Sequence, residues 1–208
     1  MDKFFVVLMF IPIIAFHEFA HAWVAHLLGD DTAKDEGRMT LNPVSHFDPI
    51  GTLLVPAIGL LLNPSGYGLI GWGRAIPYNS GNLSNYRRDS ILIALAGPFA
   101  NFVLAFAALL LAKILIVSHL MDSDMSNLIS MFAIVSIFLG VFNFLPCPPL
   151  DGWKIMCNIF RLSAEFEYAQ GIWLYLGFLL LINLPPVMGS INLGTMTILS
   201  LMHSIIGS

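Results

Sequence analysis

Residues 4–28 read FFVVLMFIPIIAFHEFAHAWVAHLL, an apolar run that contains the motif H-E-F-A-H at residues 17–21. As a helix, this run is long enough to cross the roughly 30 Å hydrocarbon core of a bilayer. A charged group inside such a helix costs about 2.5–3.5 kcal/mol on insertion scales, so ionisable residues at this depth indicate a functional site. The run therefore predicts a membrane-spanning helix that carries chemistry, and not a cleaved leader.

The two histidines of the motif are four residues apart, which places them on one face of a helix. Both imidazoles can then reach one zinc ion, which binds His nitrogens at about 2.0–2.1 Å. Glu18 lies one step round the helix, where it can contact a water instead of the metal. A zinc hydrolase needs this arrangement, since the ion acidifies water and the carboxylate takes and returns its proton. The alternative is a chance H-E-x-x-H whose side chains are satisfied by hydrogen bonds on a buried helix.

The composition predicts an α-helical integral membrane protein. Of the 208 residues, 57% are hydrophobic and only 11% are charged, whereas soluble domains have about 25% charged residues. The net charge of -4 and the lack of a basic patch argue against a nucleic-acid partner. Cys147 and Cys157 are too few to form a disulfide framework.

Three long apolar segments predict a three-span catalytic core: residues 4–28, 90–117 and 128–145. Two shorter pieces, residues 171–184 and 191–206, are separated by Pro185-Pro186 and lie near the lower limit for spanning. They predict a short C-terminal helical hairpin of one or two spans. We therefore divide the chain into a core, residues 1–155, and a C-terminal membrane hairpin, residues 156–208, within one domain.

The region between the first two spans predicts an insertion at the membrane. Turn-forming residues leave room for one short strand around residues 39–41. Residues 52–62 are apolar but too short to cross at about 1.5 Å per residue, so we expect a re-entrant or interfacial segment. The glycine- and aromatic-rich residues 63–80 predict a β-hairpin whose edge could pair with an extended peptide, with a plain connecting loop as the alternative.

Two histidines need a third protein ligand if one position of the zinc is to stay open for water and substrate. The sequence offers these candidates: His46, Asp48, Cys147, Asp151, Glu165 and His203. Asp151 is favoured because it follows a helix-breaking tract with three prolines in four positions, at residues 146–149. This tract predicts that Asp151 lies on unwound chain near membrane depth, where an unpaired carboxylate would be costly.

A face of small residues marks the second predicted span, formed by Ala94, Gly97 and Asn101. Small residues let helices approach closely, so packing alone can explain Gly97. The amide of Asn101 needs hydrogen-bond partners inside the membrane and is harder to explain by packing.

The distribution of basic residues predicts the orientation of the chain. Seven lie in residues 29–90 or in the connector after Asp151, namely Lys34, Arg38, Arg74, Arg87, Arg88, Lys154 and Arg161. Only Lys3 and Lys113 lie on the other side. We therefore expect a multi-pass protein of the cell membrane, the bacterial cytoplasmic membrane, with its N-terminus outside and its active site toward the cytoplasm.

Four segments together resemble the site-2 protease family of intramembrane zinc metalloproteases: FHEFAHAW at 16–23, LNPVSHFDPIGT at 41–52, AGPFAN at 96–101 and NFLPCPPLDG at 143–152. The resemblance is to a minimal bacterial type without a PDZ or CBS domain. It implies that His17, His21 and Asp151 bind one catalytic Zn²⁺ per chain, with Glu18 as general base and acid.

The resemblance further implies that Asn101 and Asn143 support the substrate or transition state, and that residues 63–80 guide the substrate strand. The expected activity is hydrolysis of peptide bonds within or near transmembrane segments, and the expected partners are a transmembrane protein substrate and the bilayer. Two other functions remain open at this point. One is a metal transporter or channel that uses His17, His21 and Asp151 as a transit site, and the other is a catalytically silent binder of transmembrane partners.

Overall fold

The computed structural model describes residues 3–54, 73–120, 122–162, 177 and 184–207. The helices of this part of the chain are α1 (Lys3–Leu27), α2 (Thr32–Asp35), α3 (Tyr86–Val117), α4 (Ser123–Asn143), α5 (Asp151–Ile159) and α6 (Pro185–Ile206). Single turns of 3-10 type cover Pro43–His46 and Ser80–Asn82, and a π-helical turn covers Pro49–Leu54. None of these described residues forms a strand.

Four of the described helices are long and apolar enough to cross a membrane: Phe5–Leu27, Tyr86–Val117, Ser123–Asn143 and Pro185–Ile206. They contain 23, 32, 21 and 22 residues, whereas a spanning helix needs about 20. The predicted α-helical membrane protein is therefore confirmed, and the chain is a multi-pass membrane protein.

The chain divides into two compact units, Met1–Gly97 and Pro98–Ser208, so that the division falls inside α3. In the first unit, α1 packs on α2 and on the turn Pro43–His46. A buried apolar cluster joins Ala25 of α1 to Leu83 and to Ile93 of α3. This packing holds the start of α3 beside the C-terminal half of α1.

The loop after α1 is fixed by the buried carboxylate of Asp30. It accepts hydrogen bonds from Oγ1 of Thr32 at 2.6 Å, from Nδ2 of Asn82 at 2.7 Å and from the backbone N–H of Asn79 at 3.0 Å. Burial alone would raise the pKa of Asp30, but these hydrogen bonds outweigh it and hold the pKa below its ordinary value. Asp30 thus ties residues 79–82 to the end of α1.

The second unit has its core where α3, α4 and α6 meet. The buried side chains there are Ala105, Leu109, Ala133, Ile137 and Met202. At one end of this bundle, Nζ of Lys113 donates to the carbonyl groups of Ile206 and Gly207 at 2.5 and 2.8 Å. The lysine therefore caps the last carbonyls of α6, where a positive charge is also favoured by the helix dipole.

Several local predictions differ from the structure. The strand predicted around residues 39–41 is wrong, because these residues form a bend. The predicted hairpin at 63–80 is not confirmed: residues 63–72 lie outside the described residues, and residues 73–79 contain no strand. Of the re-entrant segment 52–62, only residues 52–54 are described, as the end of the π-helical turn.

Two further corrections concern prolines. Asp151 does not lie on unwound chain but is the first residue of α5, because a proline tract that ends one helix does not prevent another from starting directly after it. The last helix begins at Pro185 and not at Ile191, since proline is well suited to the first turn of a helix. Of the apolar piece 171–184, all but residues 177 and 184 lies outside the described part of the chain.

Candidate active site

His17 and His21 form a buried pair one turn apart on α1, each with 5% of its surface exposed. Their rings meet edge to face, and the two Nε2 atoms are 3.0 Å apart. Nδ1 of His21 lies 2.6 Å from the carbonyl oxygen of Ile93. Because a carbonyl oxygen only accepts, Nδ1 carries the proton, and Nε2 is the nitrogen through which His21 can bind a metal.

Gly97 of α3 brings its backbone into close contact with the two imidazoles. A Cβ atom at residue 97 would lie 2.5 Å from Nε2 of His17 and closer still to Nε2 of His21. A carbon atom cannot occupy that position, so only glycine allows α3 to come this close to the histidines. The two Nε2 atoms, 3.0 Å apart, fit a donor pair that binds one zinc ion at about 2.0–2.1 Å from each.

The carboxylate of Glu18, next to this pair, is oriented by the backbone of residues 73–76. Its Oε2 accepts a hydrogen bond from the N–H of Ile76 at 3.2 Å. Gly73 passes so close to α1 that a Cβ there would lie 2.5 Å from Cγ2 of Ile14 and 3.5 Å from Cγ of Glu18. Only glycine allows this approach. The structure therefore brings His17, Glu18 and His21 together, with the glutamate fixed from outside its own helix.

Asp151 belongs to the second unit, where it is buried in the first turn of α5. The turn before it is tightly folded, since a Cβ at Gly152 would overlap the carbonyl groups of Phe144 and Leu145. The first turn of a helix is a favourable place for a carboxylate, because the helix dipole is positive there. Asp151 therefore lies at a helix position that stabilises a negative charge.

The two asparagines suggested by the family resemblance also lie in the second unit. Asn101 of α3 is completely buried, and its backbone carbonyl accepts a hydrogen bond from Oγ of Ser136 at 2.8 Å. Asn143 ends α4, and its Nδ2 donates to the carbonyl of Leu139 one turn earlier at 2.9 Å. One hydrogen of the Asn143 amide is therefore already used within its own helix.

Of the other candidate ligands, His46 and Asp48 make hydrogen bonds within the fold. Nε2 of His46 lies 2.7 Å from the carbonyl oxygen of Thr40. The carboxylate of Asp48 accepts the N–H groups of Ile50 and Gly51, so it caps the π-helical turn. Burial raises the pKa of the Cys147 thiol, which disfavours the thiolate that zinc binds. His203 lies in the last turn of α6, and Glu165 lies outside the described residues.

Comparison with known proteins identifies the family to which this site belongs. The model of peptidase family M50 matches residues 111–184. YwhC of Bacillus subtilis, whose name assigns it to the zinc metalloproteases, is 36% identical over 174 residues, which cover 80% of this chain and 74% of YwhC. The chain belongs to peptidase family M50.

Two further relatives of this M50 peptidase carry the name Rip2 and are also named as zinc metalloproteases. Rip2 of Mycobacterium tuberculosis is 30% identical over 84% of this chain and 64% of its own length. Rip2 of Mycolicibacterium smegmatis is 30% identical over 82% of this chain and 62% of its own length. No solved structure matches the chain. The predicted membership of the site-2 protease family is confirmed, and this M50 peptidase is a zinc metalloprotease.

Some residues that shape the M50 site were not recognised from the sequence. Packing alone explains Gly97 at the level of sequence, but the structure shows that its backbone lies against the two imidazoles. Ile76 contributes only its backbone N–H, for which the side chain gives no signal. Gly73 stands in a glycine-rich run, which marked an unusual backbone but not a contact with α1.

Proposed function

We propose that this M50 peptidase hydrolyses peptide bonds within or near the transmembrane segments of membrane proteins. One observation carries the proposal: His17 is the 13th residue of the 23-residue apolar helix Phe5–Leu27. At about 1.5 Å per residue, this places the histidine roughly 18 Å from the amino end of the helix. A peptide bond must therefore come to membrane depth to reach the site.

Three side chains are proposed to hold the zinc: His17, His21 and Asp151. The Nε2 atoms of the two histidines lie 3.0 Å apart, and Asp151 is a buried carboxylate in the first turn of a helix. Two histidines and one carboxylate form a known catalytic zinc set that keeps one position open. When bound, zinc supplies Lewis-acid activation of water and of the scissile carbonyl.

Glu18 is proposed to take a proton from the attacking water and return it to the leaving amine. Its Oε2 accepts a hydrogen bond from the N–H of Ile76, which pre-orients the carboxylate. The substrate must be unwound at the cleaved bond, since helical carbonyl groups are shielded and hydrogen-bonded. Asn101 and Asn143 are proposed to support the extended substrate, and an amide N–H can stabilise negative charge on the carbonyl oxygen.

The proposed setting is the bacterial cytoplasmic membrane, with the active site toward the cytoplasm. The excess of basic residues in 29–90 and after Asp151 supports this orientation. Residues 1–155 would form the catalytic core, and residues 156–208 a C-terminal membrane hairpin. The proposed partners are a transmembrane protein substrate and the surrounding lipid.

The proposal is tested with purified protein in proteoliposomes that contain a model transmembrane substrate. We expect cleavage inside or next to the transmembrane segment, which mass spectrometry of the products locates, and loss of cleavage when zinc is removed. Zinc flux across the vesicles without proteolysis would instead identify a transporter. Substrate binding without cleavage in zinc-loaded protein would identify a silent binder.

Asp151→Ala is expected to lower the zinc affinity by about 100-fold or more, because it removes one of three proposed protein ligands. Zinc content after dialysis against a chelator measures the effect. Asp124→Ala, which removes an exposed carboxylate from the first turn of α4, serves as the control and should retain zinc. A fully zinc-loaded Asp151→Ala protein would exclude Asp151 as a ligand.

A further inference from the structure

Arg38 is a buried cation in the same unit as the histidine pair. It lies in the loop after α2 with only 6% of its surface exposed. Its Nη2 donates to the carbonyl of Arg74 at 2.6 Å and lies 3.4 Å from the carbonyl oxygen of Ala75. Its own backbone N–H donates to the carbonyl of Ala33, which anchors the residue at the other end. Burying a charged guanidinium costs free energy, so a role as an ordinary surface charge does not explain the position of Arg38.

The residues that Arg38 holds belong to a segment that we call the glutamate strap, residues 73–76. The strap passes over α1 at Gly73, and the N–H of Arg74 donates to the carbonyl of His46 at 2.9 Å. Its last residue, Ile76, donates its N–H to Oε2 of Glu18. The strap is therefore held by its carbonyl groups from Arg38 and presents its last amide to the glutamate.

The charges of Arg38 and Glu18 also act on each other. Burial lowers the pKa of the Arg38 guanidinium and Arg74 lowers it further, whereas Glu18 and Glu36 act in the opposite direction. An arginine stays protonated in any such setting. Arg38 therefore keeps its positive charge and also holds the strap by hydrogen bonds.

We propose that Arg38 is a positioning residue for the reaction: by holding the carbonyl groups of Arg74 and Ala75, it fixes the Ile76 N–H that orients the Glu18 carboxylate. This inference rests on the proposed role of Glu18 as proton carrier. Arg38 touches neither histidine in the contacts described, so its removal acts on the orientation of the base and not on metal binding. The competing explanation is that Arg38 only anchors the fold of the loop after α2.

The first test is amide hydrogen exchange on the metal-free protein, which needs no activity. In Arg38→Met, exchange of the amides in residues 73–79 should rise by about 10-fold or more, because the strap loses its anchor. Exchange in α1 should stay as in the wild type. Arg38→Lys keeps the charge and one donor group, so it should restore much of the protection. Arg87→Met, the same change at an exposed arginine, is the matched control and should alter neither region.

The second test is kinetic and uses the zinc-loaded protein. Arg38→Met should lower kcat by about 10- to 100-fold with KM and zinc content unchanged, because a displaced base slows the chemical step. Arg38→Lys should recover most of that loss. In the Glu18→Asp background, whose shorter side chain draws the carboxylate away from the Ile76 N–H, Arg38→Met should cost much less than in the wild type.

The outcomes separate this inference from the proposed function. If Arg38→Met and Arg38→Lys both lose protection throughout α1, or if the Arg38 and Glu18 effects multiply, Arg38 is an anchor of the fold and the inference fails. If Glu18→Gln retains full activity, the role of Glu18 itself fails, whatever the exchange data show. An unchanged strap in Arg38→Met would overturn the inference even with Glu18 confirmed as the base.

Discussion

The Glu18→Gln variant is expected to keep its zinc and to lose cleavage of a transmembrane substrate by about 1,000-fold, within the roughly 100- to 10,000-fold range for general acid–base catalysis. Glutamine has nearly the same shape, and its carbonyl oxygen can still accept the N–H of Ile76. It cannot take a proton from water at neutral pH. The change therefore removes the proton carrier and leaves the histidine pair and the strap in place.

The measurement is kcat for a model substrate in proteoliposomes, with zinc content determined on the same sample. Glu36→Gln makes the same chemical change at an exposed carboxylate and should leave kcat unaltered. Near-normal turnover in Glu18→Gln would remove this residue from the reaction. Loss of zinc together with activity would instead show that Glu18 supports the metal site.

The Gly97→Ala variant is expected to lower zinc affinity by about 10- to 100-fold, in the range seen when groups around a metal site are disturbed. The added methyl group would lie 2.5 Å from Nε2 of His17, so an imidazole must turn away or α3 must move. Either change takes the ligand atoms out of position. Overpacking of this kind also costs about 1–3 kcal/mol of stability.

Competition with a chelator measures the zinc affinity, and thermal unfolding of the metal-free protein measures the packing cost separately. Gly189→Ala provides the matched control, since a Cβ at Gly189 of α6 would have no neighbour within 4 Å. It should bind zinc as the wild type does. Wild-type zinc affinity in Gly97→Ala would show that the close contact at this glycine does not position the imidazoles for the metal.

Composition and helical periodicity predicted the long membrane-spanning helices and the residues that share a helix face. The run at residues 4–28 was recognised as a span because a bilayer demands length and apolarity from every crossing helix. The H-E-x-x-H spacing predicted the pairing of His17 and His21, because four residues make about one helical turn. The family was recognised from four motifs together, which is more specific than any one of them.

Features that depend on contacts between distant parts of the chain could not be predicted from the sequence. The close approach of α3 to the histidines at Gly97 accompanies the hydrogen bond from Nδ1 of His21 to the carbonyl of Ile93. Periodicity within one helix does not predict such a contact. The Ile76 N–H is a backbone group that any residue except proline would offer. The unwound state predicted for Asp151 is wrong, because prolines stop the helix that precedes them but do not prevent a new helix from starting after them.

Lys113 has a consequence for the sidedness of the chain. Its contact with the carbonyl groups of Ile206 and Gly207 brings the last turn of α6 to the end of α3, where the short link to α4 begins. Residue 119, which follows α3, and the end of α6 then lie on the same face of the membrane. An epitope inserted at residue 119 and another placed at the end of the chain should be reached by antibody from the same face of a vesicle.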